Sequence, residues 1–208
     1  MTTMAANVSA ATASSPAVQS LARFASVERV LAVLCISIPF WMVLFDEEQD
    51  SIRGSVSSYY NMTPPQAYYF PLTVAAMLFM FNGIVKTRRF YNVVLGVCLS
   101  GVVLFNMDGA TAVPHYLFAI GFFGLNAIVI LWFSHDVSIT LRNVLIVVLL
   151  AALLAWIFID AFTTFWAETV SLVAIAAHFV LDSIGFRGYS TAVDRAQPGW
   201  TKTSLIDP

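Results

Sequence analysis

Three side chains of this sequence could do chemistry together, and they stand far apart in the chain: Asp108, His115 and Glu168. A histidine set among carboxylates can move protons as a general acid–base pair or hold a divalent metal. Glu168 is the most telling of the three. It lies six residues into an apolar run over 162–183, which is about 9 Å along a helix. A carboxylate at that depth in an apolar setting needs a partner or a proton. His115 opens the apolar run 114–133, and Asp108 stands seven residues before it, across a tight turn. Ser57, Ser58, Tyr59, Tyr60, Asn61, Asn106 and Asp160 fall in the flanking turns. Three readings stand side by side. One is a hydrogen-bond and ion-pair network that caps helix ends. The second is a ligand site built from Tyr59, Tyr60, Asn61, Asp108, His115 and Glu168. The third is a catalytic site, with Glu168 as general acid or base and His115 as its partner or a metal ligand. No cofactor is expected, although Asp108, His115 and Glu168 could hold a divalent metal.

A second polar group consists of Asn82, Asn126, His178 and Asp182. His178 and Asp182 are four residues apart and so stack on one helix face. Glu168 and Asp182 are fourteen residues apart, roughly four turns, so they share a seam. His115 and Asn126, eleven apart, share a face in the same way. Two helices thus each carry polar groups at two depths along one side, and the economical packing turns these sides toward each other. About 15 Å of helix separates Glu168 from His178, filled by side chains such as Leu172 and Ile175. That is a poor relay for protons or ions.

The elements that must position these groups are six apolar runs, over 26–45, 67–85, 91–106, 114–133, 142–160 and 162–183. The 208 residues are 59% hydrophobic and 11% charged, with a mean hydropathy of +0.81. A soluble domain carries roughly 25% charged residues. The expected fold is an all-α integral membrane protein, a bundle of six transmembrane helices. Nine of the ten basic residues fall on one side of that ladder, and Arg53 alone on the other. Short loops rich in Lys and Arg stay in the cytoplasm, so both termini are expected there. The organisation that follows is a disordered cytoplasmic tail over 1–25, a transmembrane domain over 26–185 and a second cytoplasmic tail over 186–208. The even number of crossings puts His115 and Glu168 at one rim.

Several details refine this picture. Pro39 should kink the first span. The third span, with its Gly96-x-x-x-Ser100 pattern, is short and suited to close helix approach. The turn from Asp160 to Thr164 predicts that the last two spans form an antiparallel hairpin. Cys35 and Cys98, the only cysteines, sit in apolar runs and read as small core residues. The sequence contains no phosphate-binding loop, dinucleotide fingerprint or basic face suited to nucleic acid.

Ser57-Ser58-Tyr59-Tyr60-Asn61, Pro114-His115-Tyr116 and Trp166-Ala167-Glu168 together resemble the six-helix DRAM/Sfk-like membrane family, and its uncharacterised bacterial branch in particular. The resemblance spans about residues 28–185. It implies a plasma (inner) membrane location and a role in handling lipid, since eukaryotic members are linked to glycolipid-anchor remodelling, lipid asymmetry and autophagy-related membranes. The expected function is a lipid-interacting protein or an accessory subunit of a membrane complex. A membrane-embedded enzyme acting on a lipid headgroup is the alternative, and a small transporter a second one. Membrane lipid and other membrane subunits are the expected partners.

Overall fold

In the computed structural model the described residues are 16–47, 51–85, 89–133 and 138–184. They form six α-helices and no strand: α1 (Pro16–Phe45), α2 (Gln66–Val85), α3 (Tyr91–Leu104), α4 (Ala112–Ile128), α5 (Ile139–Phe158) and α6 (Thr164–Ser183). Short 3-10 turns cover Ser57–Asn61 and Gly109–Thr111, and a π-helical turn over Val129–Phe133 extends α4. The sequences are apolar around the whole helix rather than along one stripe, the pattern of helices surrounded by apolar matter. Five stretches are long and apolar enough to cross a membrane: Ser26–Phe45, Gln66–Val85, Gly109–Trp132, Ile139–Phe158 and Thr164–Ser183. The third helix, at 14 residues, is shorter than the 91–106 expected. It ends where Phe105 turns extended and donates back to the Gly101 carbonyl at 3.0 Å. α1 begins at Pro16, inside the stretch read as a tail. Residues 1–15 and 185–208, the remainder of both expected tails, lie outside the described residues. Arg142 belongs to the first turn of α5, where Ser138 caps the helix by accepting from the Leu141 amide.

Each of α1–α3 packs on the next, α5 packs on α6, and α6 returns along α1. The break in this ring falls between α4 and α5, which follow each other in sequence but share no extensive contact. Phe79 of α2 marks the centre. Its ring meets Phe122 of α4 edge-on at 5.5 Å and Phe179 of α6 at 5.4 Å. Cys35 and Cys98 are free and buried, as expected of small core residues.

The small-residue pattern on α3 works through Gly96. A Cβ there would meet the Ala76 carbonyl oxygen at 2.7 Å and the Met80 amide nitrogen at 2.9 Å, so α2 and α3 touch backbone to backbone. Five residues on, Gly101 receives the Phe118 ring of α4 where a Cβ would stand. Glycines on two different faces of α3 therefore set its distances to α2 and to α4. Gly96→Val should force α2 and α3 apart and lower the thermal midpoint of the detergent-solubilised protein, at about 1–3 kcal/mol of overpacking. Gly124→Ala should not, because a Cβ there meets nothing within 4 Å. Equal midpoints for both variants would contradict the close approach.

Candidate functional site

Polar side chains gather at both ends of the bundle. At one end the segment between α1 and α2 folds back over the helix termini. Its anchor is Arg53, which binds both oxygens of Asp46: Nε donates at 2.6 Å and Nη2 at 3.0 Å. The two side chains are 8% and 4% exposed. Arg53 Nη1 also donates to the Ser58 carbonyl at 3.2 Å and to Asn61 Oδ1. The Arg53 backbone amide donates to the Tyr59 hydroxyl at 3.1 Å, and its guanidinium lies 5.3 Å from the centre of the Tyr59 ring. Burial raises the Tyr59 pKa above the ordinary tyrosine value, so this phenol stays neutral in its clamp.

The same segment is fastened to the start of α6. The Gly54 carbonyl accepts from the Phe165 amide at 2.7 Å, and Glu168 Oε2 accepts from the Val56 amide at 2.6 Å. Glu168 thus has a backbone partner, and it is half-buried. His115, on the first turns of α4, is 2% exposed. Its Nδ1 lies 2.6 Å from the Phe105 carbonyl oxygen. A carbonyl can only accept, so Nδ1 carries a proton and Nε2 is left to face the cavity.

Glu168 and His115 line one cavity of about 690 Å3, opening where α4 and α5 part. Ile120 of α4, Leu149 and Leu153 of α5, and Ser171 of α6 form most of its depth, and Gly54–Ser58 close its outer end. Asp108 does not join them. It accepts a hydrogen bond from the Tyr60 hydroxyl and lines a neighbouring polar pocket of about 420 Å3 with Arg53, Tyr60 and Asn61. That hydrogen bond, more than burial, raises the Tyr60 pKa. The expected convergence of three groups is therefore corrected to two. Gly109, at φ +54°, turns the chain just after Asp108 and before His115, and the exposed carboxylate stays on the outer surface. Among the described residues no three His, Cys, Asp or Glu side chains come together as a metal site. Asp160 is exposed in the α5–α6 turn and lines neither pocket.

At the opposite end Arg89, just before α3, joins three helices. Its Nη1 donates to Glu28 of α1 at 2.7 Å and to Asp182 of α6, and Nη2 donates to the other Asp182 oxygen at 2.8 Å. Burial works against the Arg89 charge, but the hydrogen bond and charge of Asp182 outweigh it, and the pKa is raised. His178 is buried one turn before Asp182 on the same helix. Asn82 is buried on α2, and its amide nitrogen has no protein partner. Asn126 donates instead to its own helix, to the Phe122 carbonyl at 2.9 Å. Of the four residues expected to cluster, Asp182 is the one that binds the arginine. Arg89 and Glu28 complete the group and were not foreseen. The available signal was Glu28, an acid placed just inside the first apolar run.

The architecture defines the class: a bundle of apolar helices, with polar groups confined to its ends and one side cleft. Within that class the chain belongs to a family of unknown function (DUF7103), whose model matches residues 37–183. The matched stretch covers the outer clamp, the cleft residues and Asp182. Searches of curated proteins and of solved structures each found no match.

Removing one member of a buried ion pair costs about 3–5 kcal/mol, because the other charge is left uncompensated. Arg53→Met should therefore lower the thermal midpoint steeply. Asp46→Asn in the same chain should recover part of the loss, giving a double variant more stable than the sum of the single losses. Strictly additive losses would show that the pair is not coupled.

Proposed function

We propose that the chain is a polytopic membrane protein, with six spans and both termini in the cytoplasm, that holds a lipid in the cleft between α4 and α5 near the extracytoplasmic rim. The observation that carries this reading is the cleft itself. Its walls are largely apolar, its mouth is flanked by outward-facing side chains such as Ile120 and Leu153, and polar groups stand at one end only. That is the shape and polarity of a binding place for an amphiphile. The outer surface of α5 fits a lipid setting, since Ala152 is its one buried residue among those described and Val147, Leu150, Leu154 and Phe158 are exposed. The basic residues support the proposed orientation. Arg29 and Arg89 lie at the bundle end opposite the cleft mouth, and Arg53 is consumed by Asp46. The resemblance to DRAM/Sfk-like proteins supports lipid handling from an independent direction, as does the plasma-membrane location it implies. Binding other membrane subunits, through the exposed face of α5, fits the same picture.

Catalysis on a lipid headgroup is the second reading, favoured by His115 and Glu168 facing one cavity. A divalent metal there would need ligands beyond these two. Transport gains no support, because Leu172, Ile175 and Ala176 fill α6 between its polar ends and are buried.

Ala119 lines the cleft and is half-buried. Ala119→Trp should fill it, and Leu153→Trp should fill it from the exposed side of α5. Each variant, purified in mild detergent, should carry severalfold less co-purifying lipid per protein by mass spectrometry, at an unchanged elution volume. Parental lipid content in both well-folded variants would refute binding in the cleft. Lipid that emerges chemically altered after incubation with the parent protein, but not with Glu168→Gln, would establish the second reading instead.

A further inference from the structure

The apolar cleft and the polar pocket adjoin, with Gly54, Ser58 and Met107 lining both. Together they have the form of a site with a chain end and a head end. The head end offers the exposed carboxylate of Asp108 beside the side-chain amide of Asn61. Its one guanidinium, Arg53, is engaged by Asp46, the Ser58 carbonyl and Asn61. Tyr60 gives its hydroxyl proton to Asp108, whose carboxylate is exposed. His115 lines the cleft and is nearly fully buried, with Nδ1 committed to the Phe105 carbonyl. Its other ring nitrogen, Nε2, has no hydrogen-bond partner among the described residues. Asp46 matches the single guanidinium of Arg53, and the Asp108 carboxylate on the pocket wall has no basic side chain bound to it among the described residues.

Resting on the lipid reading above, we infer that the ligand is an amphiphile whose headgroup carries a primary ammonium. The ammonium sits against Asp108 in the polar pocket, and the chain lies along Ile120, Leu149 and Leu153. A net anionic headgroup would meet a like-charged carboxylate with no uncommitted guanidinium to offset it. A quaternary ammonium would bring the charge without the N–H donors that the acceptors require.

The test uses the full-length protein in detergent, offered an equimolar mixture of phosphatidylethanolamine, phosphatidylglycerol and phosphatidylcholine with matched chains, and read by native mass spectrometry. Phosphatidylglycerol carries hydroxyl donors on an anionic head, and phosphatidylcholine a charge without N–H. The parent protein should retain phosphatidylethanolamine over each of the others by about three- to fivefold, the ordinary strength of a solvent-reachable ion pair. Asp108→Asn should bring the ratio to phosphatidylglycerol close to one. Asp160→Asn, which removes an equal charge away from both pockets, should leave it as in the parent. Retention of phosphatidylglycerol above phosphatidylethanolamine, or of phosphatidylcholine equal to it, would overturn the headgroup inference. In that case, occupancy that Ala119→Trp abolishes would leave lipid binding in the cleft standing. A parent protein that retains none of the three lipids would overturn both.

Discussion

The outer segment depends on a requirement that is easily met in water and hard to meet in lipid: every backbone N–H and C=O must have a partner. Residues 51–65 are irregular apart from one 3-10 turn, and they fold over the ends of apolar helices. Side chains must satisfy what no helix ladder can. Glu168 accepts from the Val56 amide, Tyr59 from the Arg53 amide, and Arg53 donates to the Ser58 carbonyl. The Gly54 carbonyl takes the Phe165 amide, one of the donors that the first turn of a helix leaves unsatisfied. The segment and α6 thus complete each other. This fixes Gly54–Ser58 as the outer wall of the cleft rather than a loose cover.

The position of the cleft follows from how the polar ties are distributed. Arg53 and Asp46 secure the end of α1 to the outer segment, which is in turn secured to α6. At the other end Arg89 secures α1 and α6 to the start of α3. α2 is locked to α3 through the contact at Gly96. α5 has weaker means of attachment. Its described polar link to α6 is the hydrogen bond from Trp156 Nε1 to Thr164 Oγ1, at 3.0 Å and exposed. Where two sequence neighbours are held by different partners, the seam between them is the place that opens.

Much of this was legible in the chain. Long apolar runs between charged turns specify helices, and an even count of them puts His115 and Glu168 at one rim, where they do line the same cavity. The α5–α6 hairpin followed from its short turn. What stayed hidden were the arginine clamps. Arg53 and Arg89 read as markers of membrane side, which is what loop arginines usually are. Their carboxylate partners, though, are set by tertiary packing: Glu28 and Asp182 lie 61 and 93 residues from Arg89. Asp108 was misplaced for a related reason. Closeness to His115 in sequence suggested convergence, while the turn at Gly109 and the reach of Tyr60 from a different segment decided otherwise.

That misplacement bears directly on the choice between binding and catalysis. A histidine that takes a proton in a transition state is helped by a carboxylate behind its Nδ1, which orients the ring and stabilises the imidazolium as it forms. His115 has a backbone carbonyl in that place. The carbonyl fixes the tautomer and ring plane equally well but offers a dipole where a full charge would be needed. Glu168 is similarly constrained, since one of its oxygens already holds the Val56 amide and through it the wall of the cleft. Protonating or moving that carboxylate during a reaction cycle would loosen the segment that closes the cleft. A histidine ring fixed by a backbone carbonyl and an immobilised carboxylate in a side-opening apolar cleft therefore favour the proposed binding role over the catalytic one.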